Sequence, residues 1–249
     1  MMAAEQRLRS VNFWSGVTVL CLTIAGALVG IYQLNQVLTD EQQVPLAELN
    51  VQGELQYTAN EEVRKALTAE PLGSFFTADV NELRRRVEQL PWIQKVSIRK
   101  VWPDKLSVYV TEHKPVAMWN GDRLINEQSD VFRANIEQVD TALPQLFGPE
   151  NAVEETWKEF NRVQQMLAVN GCQVRALRLT ERFAVSVVLA QGIEVKLGRE
   201  ATLERIKRFI DVFPSIVEHE KSKNNEIDTV DLRYDTGAAV AWREAKSES

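Results

Sequence analysis

The stretch Phe13–Tyr32, FWSGVTVLCLTIAGALVGIY, carries no charged residue, and the rest of the chain is organised around it. Twenty residues in a helix rise roughly 30 Å, the thickness of the hydrocarbon core of a bilayer. A helix also satisfies its own backbone hydrogen bonds in lipid. Trp14 and Tyr32 stand near its two ends, where aromatic rings favour the headgroup level. The stretch therefore predicts one membrane-spanning helix.

The charges on either side of this stretch predict its orientation. Arg7 and Arg9 precede it, and no Lys or Arg follows it until Arg64. Basic flanks stay in the cytoplasm, so we expect the N-terminus inside and everything after Tyr32 outside.

A cleaved signal peptide is the alternative, since Ala25 and Ala27 form a small-x-small cleavage pattern. The apolar run continues past both alanines to Tyr32, which makes it longer than the hydrophobic region of an ordinary signal peptide. We therefore favour a retained anchor.

The composition is that of a folded protein with few groups for chemistry. The chain is 45% apolar, and 29 basic against 35 acidic residues give a net charge of −6, which argues against nucleic acid as a partner. The only histidines, His113 and His219, are far apart, and Cys172 is the only cysteine outside the apolar stretch. The sequence patterns typical of zinc sites, phosphate-binding loops and serine hydrolases are missing. We predict no cofactor, metal or small-molecule substrate, and a protein that is not an enzyme.

The first module after the apolar stretch has the predicted order β-α-α-β-β, over residues 45–114. Thr58–Glu61 fits a capping box, and Asp79 is placed to begin a second helix. The period then changes from helical to alternating, with two strands joined by a turn at Trp102–Asp104. Residues 33–44 before the module are polar and predict a linker or a helix extension.

The second module, residues 115–242, has the pattern of a mostly antiparallel sheet with helices on one face, so the fold class is α+β. Asn120–Asp122 predicts a hairpin turn, and Leu143–Pro149 a connector bounded by proline. The final helix is expected to stop at Pro214, with Glu204 and Arg208 paired on its outer side. The remaining predicted elements are a helix over Val153–Leu167 and strands over Val174–Leu179, Ala184–Leu189, Ile193–Leu197 and Ala238–Trp242.

The last of these strands is the informative one. Only a short charged tail, residues 243–249, follows it, which predicts a strand at the edge of the sheet with unpaired backbone groups. An extended segment of a partner can add to such an edge. Small residues from Gly237 to Ala241 permit a close approach, and Tyr234 and Trp242 bracket them as candidate anchors. The alternative is that both aromatics belong to the core and the edge binds nothing.

Two long motifs resemble the FtsQ/DivIB family of bacterial division proteins: Leu90–Pro103 (LPWIQKVSIRKVWP) and Val230–Trp242 (VDLRYDTGAAVAW). The resemblance covers nearly the whole chain and implies a cytoplasmic start (1–12), a transmembrane helix (13–32), a linker (33–44), a POTRA domain (45–114), a β domain (115–242) and a tail (243–249). The Asp-Thr-Gly at 235–237 stands where the family often has Asp-Ser-Gly, which leaves the turn intact.

The resemblance also implies partners. In that family the last strand of the β domain pairs with FtsB, which arrives with FtsL, and the POTRA domain docks other divisome members, for which FtsK, FtsW and FtsI are candidates. An acidic residue of FtsB is expected to meet Arg233, and Arg182 resembles a second basic contact. The matching positions on the FtsB side are Arg182, Arg233, Tyr234, Thr236, Gly237, Ala238, Ala239, Val240 and Trp242, and those for POTRA docking are Val96, Ile98 and Lys100. The alternative for Val96 and Ile98 is a place in the core, since alternating apolar residues of a strand usually face it.

The function implied is that of a non-enzymatic scaffold in the inner membrane at the division septum, with its folded domains in the periplasm. It would link early and late division proteins and help control septal peptidoglycan synthesis. The alternative is a POTRA-containing accessory of protein translocation or outer-membrane assembly, although such proteins generally carry repeated POTRA units or a barrel.

Overall fold

The structure is a computed structural model that describes residues 2–40, 46–139, 142–223, 225–234 and 236–244, with backbone only for residues 2–15, 221–223 and 244. The fold divides into two compact units, Met1–Glu112 and His113–Ser249. Pro45, Asp235, part of the predicted linker and most of the predicted tail lie outside the described residues.

The first unit begins with one long helix, α1, which spans Met2–Thr39. Within it, Gly16–Thr39 is long and apolar enough to cross a membrane. The helix continues past Tyr32, so residues 33–39 extend it instead of forming a linker. Its apolar side chains are exposed, as lipid-facing side chains would be, among them Leu20, Leu22, Ile24, Leu28 and Ile31.

The rest of this unit has the predicted order β-α-α-β-β. The elements are β1 (Glu48–Gln52), α2 (Asn60–Thr68), α3 (Val80–Glu88), β2 (Ile93–Val101) and β3 (Lys105–Glu112). The strand order is β1-β3-β2, with β1 parallel and β2 antiparallel to the central β3. Apolar residues of both helices and all three strands, such as Leu67, Leu83 and Val108, close one core.

The two helix starts of this unit differ from each other. The Asp79 carboxylate accepts hydrogen bonds from the backbone N–H groups of Asn81 and Glu82, as predicted. The capping box at Thr58 was a wrong prediction, since α2 has Ala59 at its N-cap and no side-chain cap. The backbone N–H of Thr58 instead donates to the buried carboxylate of Glu112, 2.6 Å away. A contact distant in sequence has replaced the local one.

The second unit is a nine-stranded sheet with two helices. Its elements are β4 (Pro115–Trp119), β5 (Arg123–Asn126), β6 (Val131–Phe132), β7 (Gln145–Phe147), α4 (Val153–Ala168), β8 (Val174–Leu179), β9 (Val185–Leu189), β10 (Glu194–Gly198), α5 (Thr202–Lys223), β11 (Asn225–Asp231) and β12 (Ala239–Glu244). The strand order is β12-β11-β10-β9-β8-β7-β4-β5-β6, and five of the eight pairings are antiparallel. Both helices lie against the sheet and contact each other, so they share one face.

Two predicted element boundaries in this unit were wrong. The connector Leu143–Pro149 contains β7, which pairs in parallel with β4 and β8. The last helix does not stop at Pro214 but continues to Lys223. A proline inside a helix removes one hydrogen bond, and we attribute its tolerance to Ile216 and Val217, which pack against the core beyond it.

Candidate functional site

The strand β12 lies at one edge of the nine-stranded sheet, as the sequence predicted. It pairs antiparallel with β11, so that Trp242 is opposite Ile227 and Ala239 is opposite Asp231. Among the described strands, none pairs with its other side. The backbone groups on that side are therefore available to an added strand.

A groove runs between this edge strand and α5. Side chains alternate along a strand, and the half-buried Ala238, Val240 and Trp242 lie toward the helix, whereas Ala239 and Ala241 are exposed. The groove has a volume of about 350 Å³, and its lining comprises Val212, Ser215, Ile216, His219, Ala238, Val240 and Trp242. Most of its helix wall comes from the part of α5 after Pro214, which the sequence analysis had assigned to no helix.

Two arginines of α5 hold the segment that leads from β11 into β12. Nη1 of Arg208 donates to the carbonyl oxygens of Tyr234 (2.6 Å) and Gly237 (3.1 Å). Arg205 donates through Nη1 to the carbonyl oxygen of Leu197 (2.5 Å) and through Nη2 to that of Arg233 (3.3 Å). The predicted pairing of Glu204 with Arg208 was wrong, because the Arg208 side chain donates hydrogen bonds to this segment instead. We name residues 233–234 and 236–238 the entry segment of β12.

The side chain of Arg233 is held by Asp231 at the end of β11. Its Nε and Nη2 atoms lie 2.9 and 2.6 Å from the two carboxylate oxygens, a two-pronged ion pair. Hydrogen bonds from Arg233 hold the pKa of Asp231 below its usual value, and those same bonds raise the pKa of Arg233. Arg233 is nevertheless exposed, so a partner carboxylate would meet a cation that is already oriented.

The entry segment presents exposed groups to solvent. Tyr234 is 60% exposed, and Thr236 and Gly237 are exposed beside it. Gly237 has a φ of +90°, a conformation that favours glycine. Tyr234 is thus not a core residue, whereas Trp242 packs in part against the core and is in part open to the groove.

Arg182 lies in the turn between β8 and β9, and it is exposed. In the order of the sheet, the strands β9, β10 and β11 lie between β8 and β12. The register places Val185 opposite Gly198, and β10 runs parallel to β11, so the turn and the end of β11 share one end of the sheet. Arg182 and Arg233 therefore stand at the same end, with β9 and β11 about 10 Å apart.

The three candidate docking residues of the first unit have different environments. Val96 is 4% exposed and belongs to the core, so its side chain is not accessible to a partner, which corrects its assignment as a contact. Ile98 packs in part against the same core. Nζ of Lys100 donates to the carbonyl oxygen of Phe76 (3.3 Å). The exposed side chains of β2 are the alternate ones, such as Ser97 and Arg99, and β2 is itself an edge strand.

The groups that might suggest chemistry are dispersed or buried. Cys172 is buried, and burial raises the pKa of its thiol. The His113 ring stacks on Phe132 at 4.1 Å, and His219 lines the groove beside Trp242. Within the described ranges, no group of three or more His, Cys, Asp or Glu side chains is arranged to hold a metal ion.

Comparison with protein families matches both units of this chain. Residues 44–113 match the family described as POTRA domain, FtsQ-type. Residues 117–233 match the family described as Cell division protein FtsQ/DivIB, C-terminal.

Similar proteins are known from several bacteria under the name Cell division protein FtsQ. The protein of Shewanella oneidensis is 38% identical over 234 residues, which cover 94% of this chain and 88% of that protein. The Aliivibrio fischeri protein is 38% identical over 207 residues (83% and 79%). The protein of Escherichia coli K12 is 34% identical over 232 residues (92% and 84%).

Proposed function

This chain belongs to the FtsQ family of cell division proteins, and on that premise we propose that it is a non-enzymatic scaffold that binds FtsB, together with FtsL, along β12. Together with the one apolar helix, family membership indicates a single-pass membrane protein of cell division. We further propose that its N-terminus is cytoplasmic, that its folded units are periplasmic, and that it acts at the division septum to help control peptidoglycan synthesis.

The observation that carries the proposal is the unpaired side of β12 above an apolar groove. A segment of FtsB that added there would form main-chain hydrogen bonds with β12 and place alternate side chains over the groove. The small side chains of Ala239 and Ala241 leave the other face of the strand unobstructed.

The charges at this end of the sheet support an acidic partner segment. Arg182 and Arg233 are both exposed at the same end as the entry segment. A carboxylate of FtsB would share Arg233 with Asp231, and the two-pronged pair keeps the guanidinium in place before binding. Such preorganisation reduces the entropy lost on association.

The first unit would bind other division proteins and so help to recruit this chain to the division site. We propose that FtsK, and further FtsW or FtsI, approach the edge strand β2 through its backbone and its exposed side chains, with Lys100 at its end. The residues Val96 and Ile98 would then act by fixing the strand, since both lie on its core side.

Hydrogen exchange of the full chain with and without the FtsB–FtsL complex tests the β12 proposal. We expect slower exchange at the alternate amides of residues 239–243 that do not bond to β11, and no change at Val131 and Phe132 of β6, the other edge. Protection confined to other strands would refute strand addition at β12.

Matched tyrosine variants test the anchor. Tyr234→Ala should weaken FtsB–FtsL binding by on the order of 2 kcal/mol, as a hot-spot aromatic does. Tyr109→Ala removes a tyrosine of similar exposure from β3 and should leave affinity unchanged. Equal affinities for the two variants would contradict the role of Tyr234.

A further inference from the structure

One end of the first unit carries exposed aromatic side chains that the proposed function does not use. Trp102, in the turn between β2 and β3, is 77% exposed, and Phe76, in the turn before α3, is 49% exposed. Val101 is exposed beside Trp102. Contiguous exposed apolar side chains are typical of surfaces that contact a protein or a membrane. We name Phe76, Val101 and Trp102 the aromatic end.

Lys100 joins the two turns of the aromatic end. Its Nζ atom donates to the carbonyl oxygen of Phe76 (3.3 Å) and lies 5.8 Å from the centre of the Phe75 ring. Because Lys100 is two residues before Trp102, it connects the 74–77 turn to the end of the strand that leads into the β2–β3 turn.

The chain leaves α1 at this same end. The hydroxyl of Ser74 donates to the carbonyl oxygen of Leu38, 2.7 Å away, in the last turn of the helix. On the other side of the connection, the backbone N–H of Ala47 donates to the carbonyl oxygen of Asp104, 3.0 Å away. Both turns of the aromatic end are therefore bonded to residues that flank the connection from α1 to β1.

The position of Leu38 relative to the bilayer follows from the helix. Leu38 is six residues beyond Tyr32, a rise of about 9 Å from the expected boundary of the hydrocarbon core. Each headgroup layer is roughly 5–8 Å thick. The contact between Ser74 and Leu38 thus falls near the outer rim of the headgroups, within reach of aromatic side chains.

We propose that the aromatic end rests on the membrane that α1 crosses, with Trp102 and Phe76 among the phospholipid headgroups. Tryptophan and tyrosine favour this layer because one part of the ring system is apolar and the other forms hydrogen bonds. The Phe76 ring would add only apolar contact with the lipid. The contact would fix the first unit close to the bilayer. It depends on α1 being a retained anchor and is independent of FtsB binding at β12.

Fluorescence quenching in vesicles tests the proposal with the full chain. The protein is reconstituted into phosphatidylethanolamine–phosphatidylglycerol vesicles whose acyl chains are brominated near the headgroup. The sequence places one other tryptophan of six, Trp14, at headgroup level. Trp102→Phe should therefore remove about half of the emission that bromine quenches. Trp157→Phe, in α4 of the second unit, should remove none of it.

A second variant tests whether only the aromatic end of the first unit, and not another part of its surface, meets the lipid. Tyr109 is 52% exposed and lies four residues beyond Lys105 on β3, about 13 Å from the turn. In Trp102→Phe/Tyr109→Trp, the tryptophan at position 109 should stay unquenched. Thermal unfolding verifies that each variant is folded.

Two results would overturn the proposal. The first is quenchable emission that Trp102→Phe leaves unchanged, which would show that Trp102 does not lie among the headgroups. The second is full recovery of quenching by the tryptophan at position 109, which would indicate that the unit meets lipid without orientation.

Discussion

The nine-stranded sheet ends on β6 at one side and on β12 at the other, and the two edge strands are built differently. The strand β6 has two residues, and its Phe132 is buried and stacked on His113. The strand β12 has six residues, with small exposed side chains on one face and a groove on the other. A two-residue edge offers too few backbone groups to template another strand, whereas a six-residue edge offers a full set. Edge length and cover thus distinguish a closed edge from one available for binding.

The sharpest test of this difference compares one residue from each edge. Trp242→Ala should weaken FtsB–FtsL binding by about 2 kcal/mol or more, roughly 30-fold, because it removes an aromatic wall of the groove. Val131→Ala on β6 should leave affinity unchanged. Titration calorimetry measures both.

Trp242 also packs against the core, so its variant needs a folding control. Thermal unfolding of Trp242→Ala separates lost stability from lost affinity, and Trp242→Phe keeps most of the packing. Equal losses from Trp242→Ala and Val131→Ala would remove the distinction between the edges.

A smaller effect is expected from Arg208, which positions the entry segment and which we do not expect to touch the partner. Arg208→Ala would leave the carbonyl groups of Tyr234 and Gly237 without their donor. Affinity should fall about tenfold, and the amides of the entry segment should exchange faster. Arg208→Lys should recover part of both. Exchange in β6 should not change.

Arg162→Ala on α4 is the matched control, since Arg162 pairs with Glu159 on the surface. It should alter neither affinity nor exchange of the entry segment. An Arg208→Ala protein with native affinity and native exchange would contradict a positioning role.

The smallest expected effect is on stability. It concerns the β4–β5 hairpin, which leads to β6 and is held by an ion pair. Arg123 binds the carboxylate of Glu150, at 2.7 Å for the Nη1–Oε2 pair, and Asn120 adds a hydrogen bond of 3.2 Å. Hydrogen bonds from Arg123 are the main cause that lowers the pKa of Glu150 from 4.5 to about 2.

Because the folded pKa of Glu150 is the lower one, its contribution to stability is complete above pH 4.5 and is lost as the pH falls toward 2. Thermal unfolding between pH 2 and pH 7 should give a shallower pH dependence for Glu150→Gln than for the unaltered chain. FtsB–FtsL affinity at neutral pH should be the same for both. Identical pH profiles would contradict the assignment.

Local patterns predicted most of the fold. The alternation in β2 and β3, the helical spacing before them and the Asn120–Gly121 turn all match the structure, in which both turn residues have positive φ. β7 was missed because it has three residues, too few to display an alternating period. The sequence predicted that α5 ends at Pro214, because helix propensity disfavours an internal proline. In the structure, tertiary packing outweighs that preference and the helix continues.

The candidate site was predicted only along its own strand. Tyr234, Val240 and Trp242 were named from β12, but the helix wall of the groove was not, because it lies in the part of α5 that was assigned to no element. The sequence predicted an ion pair between Arg208 and Glu204, four residues away on the same helix. Spacing along the sequence indicates neighbours within a helix, but it does not indicate carbonyl groups that are distant in the chain. Val96 was named as a contact although its period already placed it with the core.

The amino-acid order by itself determined the apolar helix, the β-α-α-β-β arrangement and a final strand with small residues. Each depends on spacing over a few neighbouring residues, where one period dominates. Only the tertiary structure decided that the opposite edge is the short strand β6, that α5 covers one face beside β12, and that Arg205 and Arg208 hold its entry segment. Those features depend on pairing and packing between residues distant in the chain, where many alternative partners are compatible with the same local pattern.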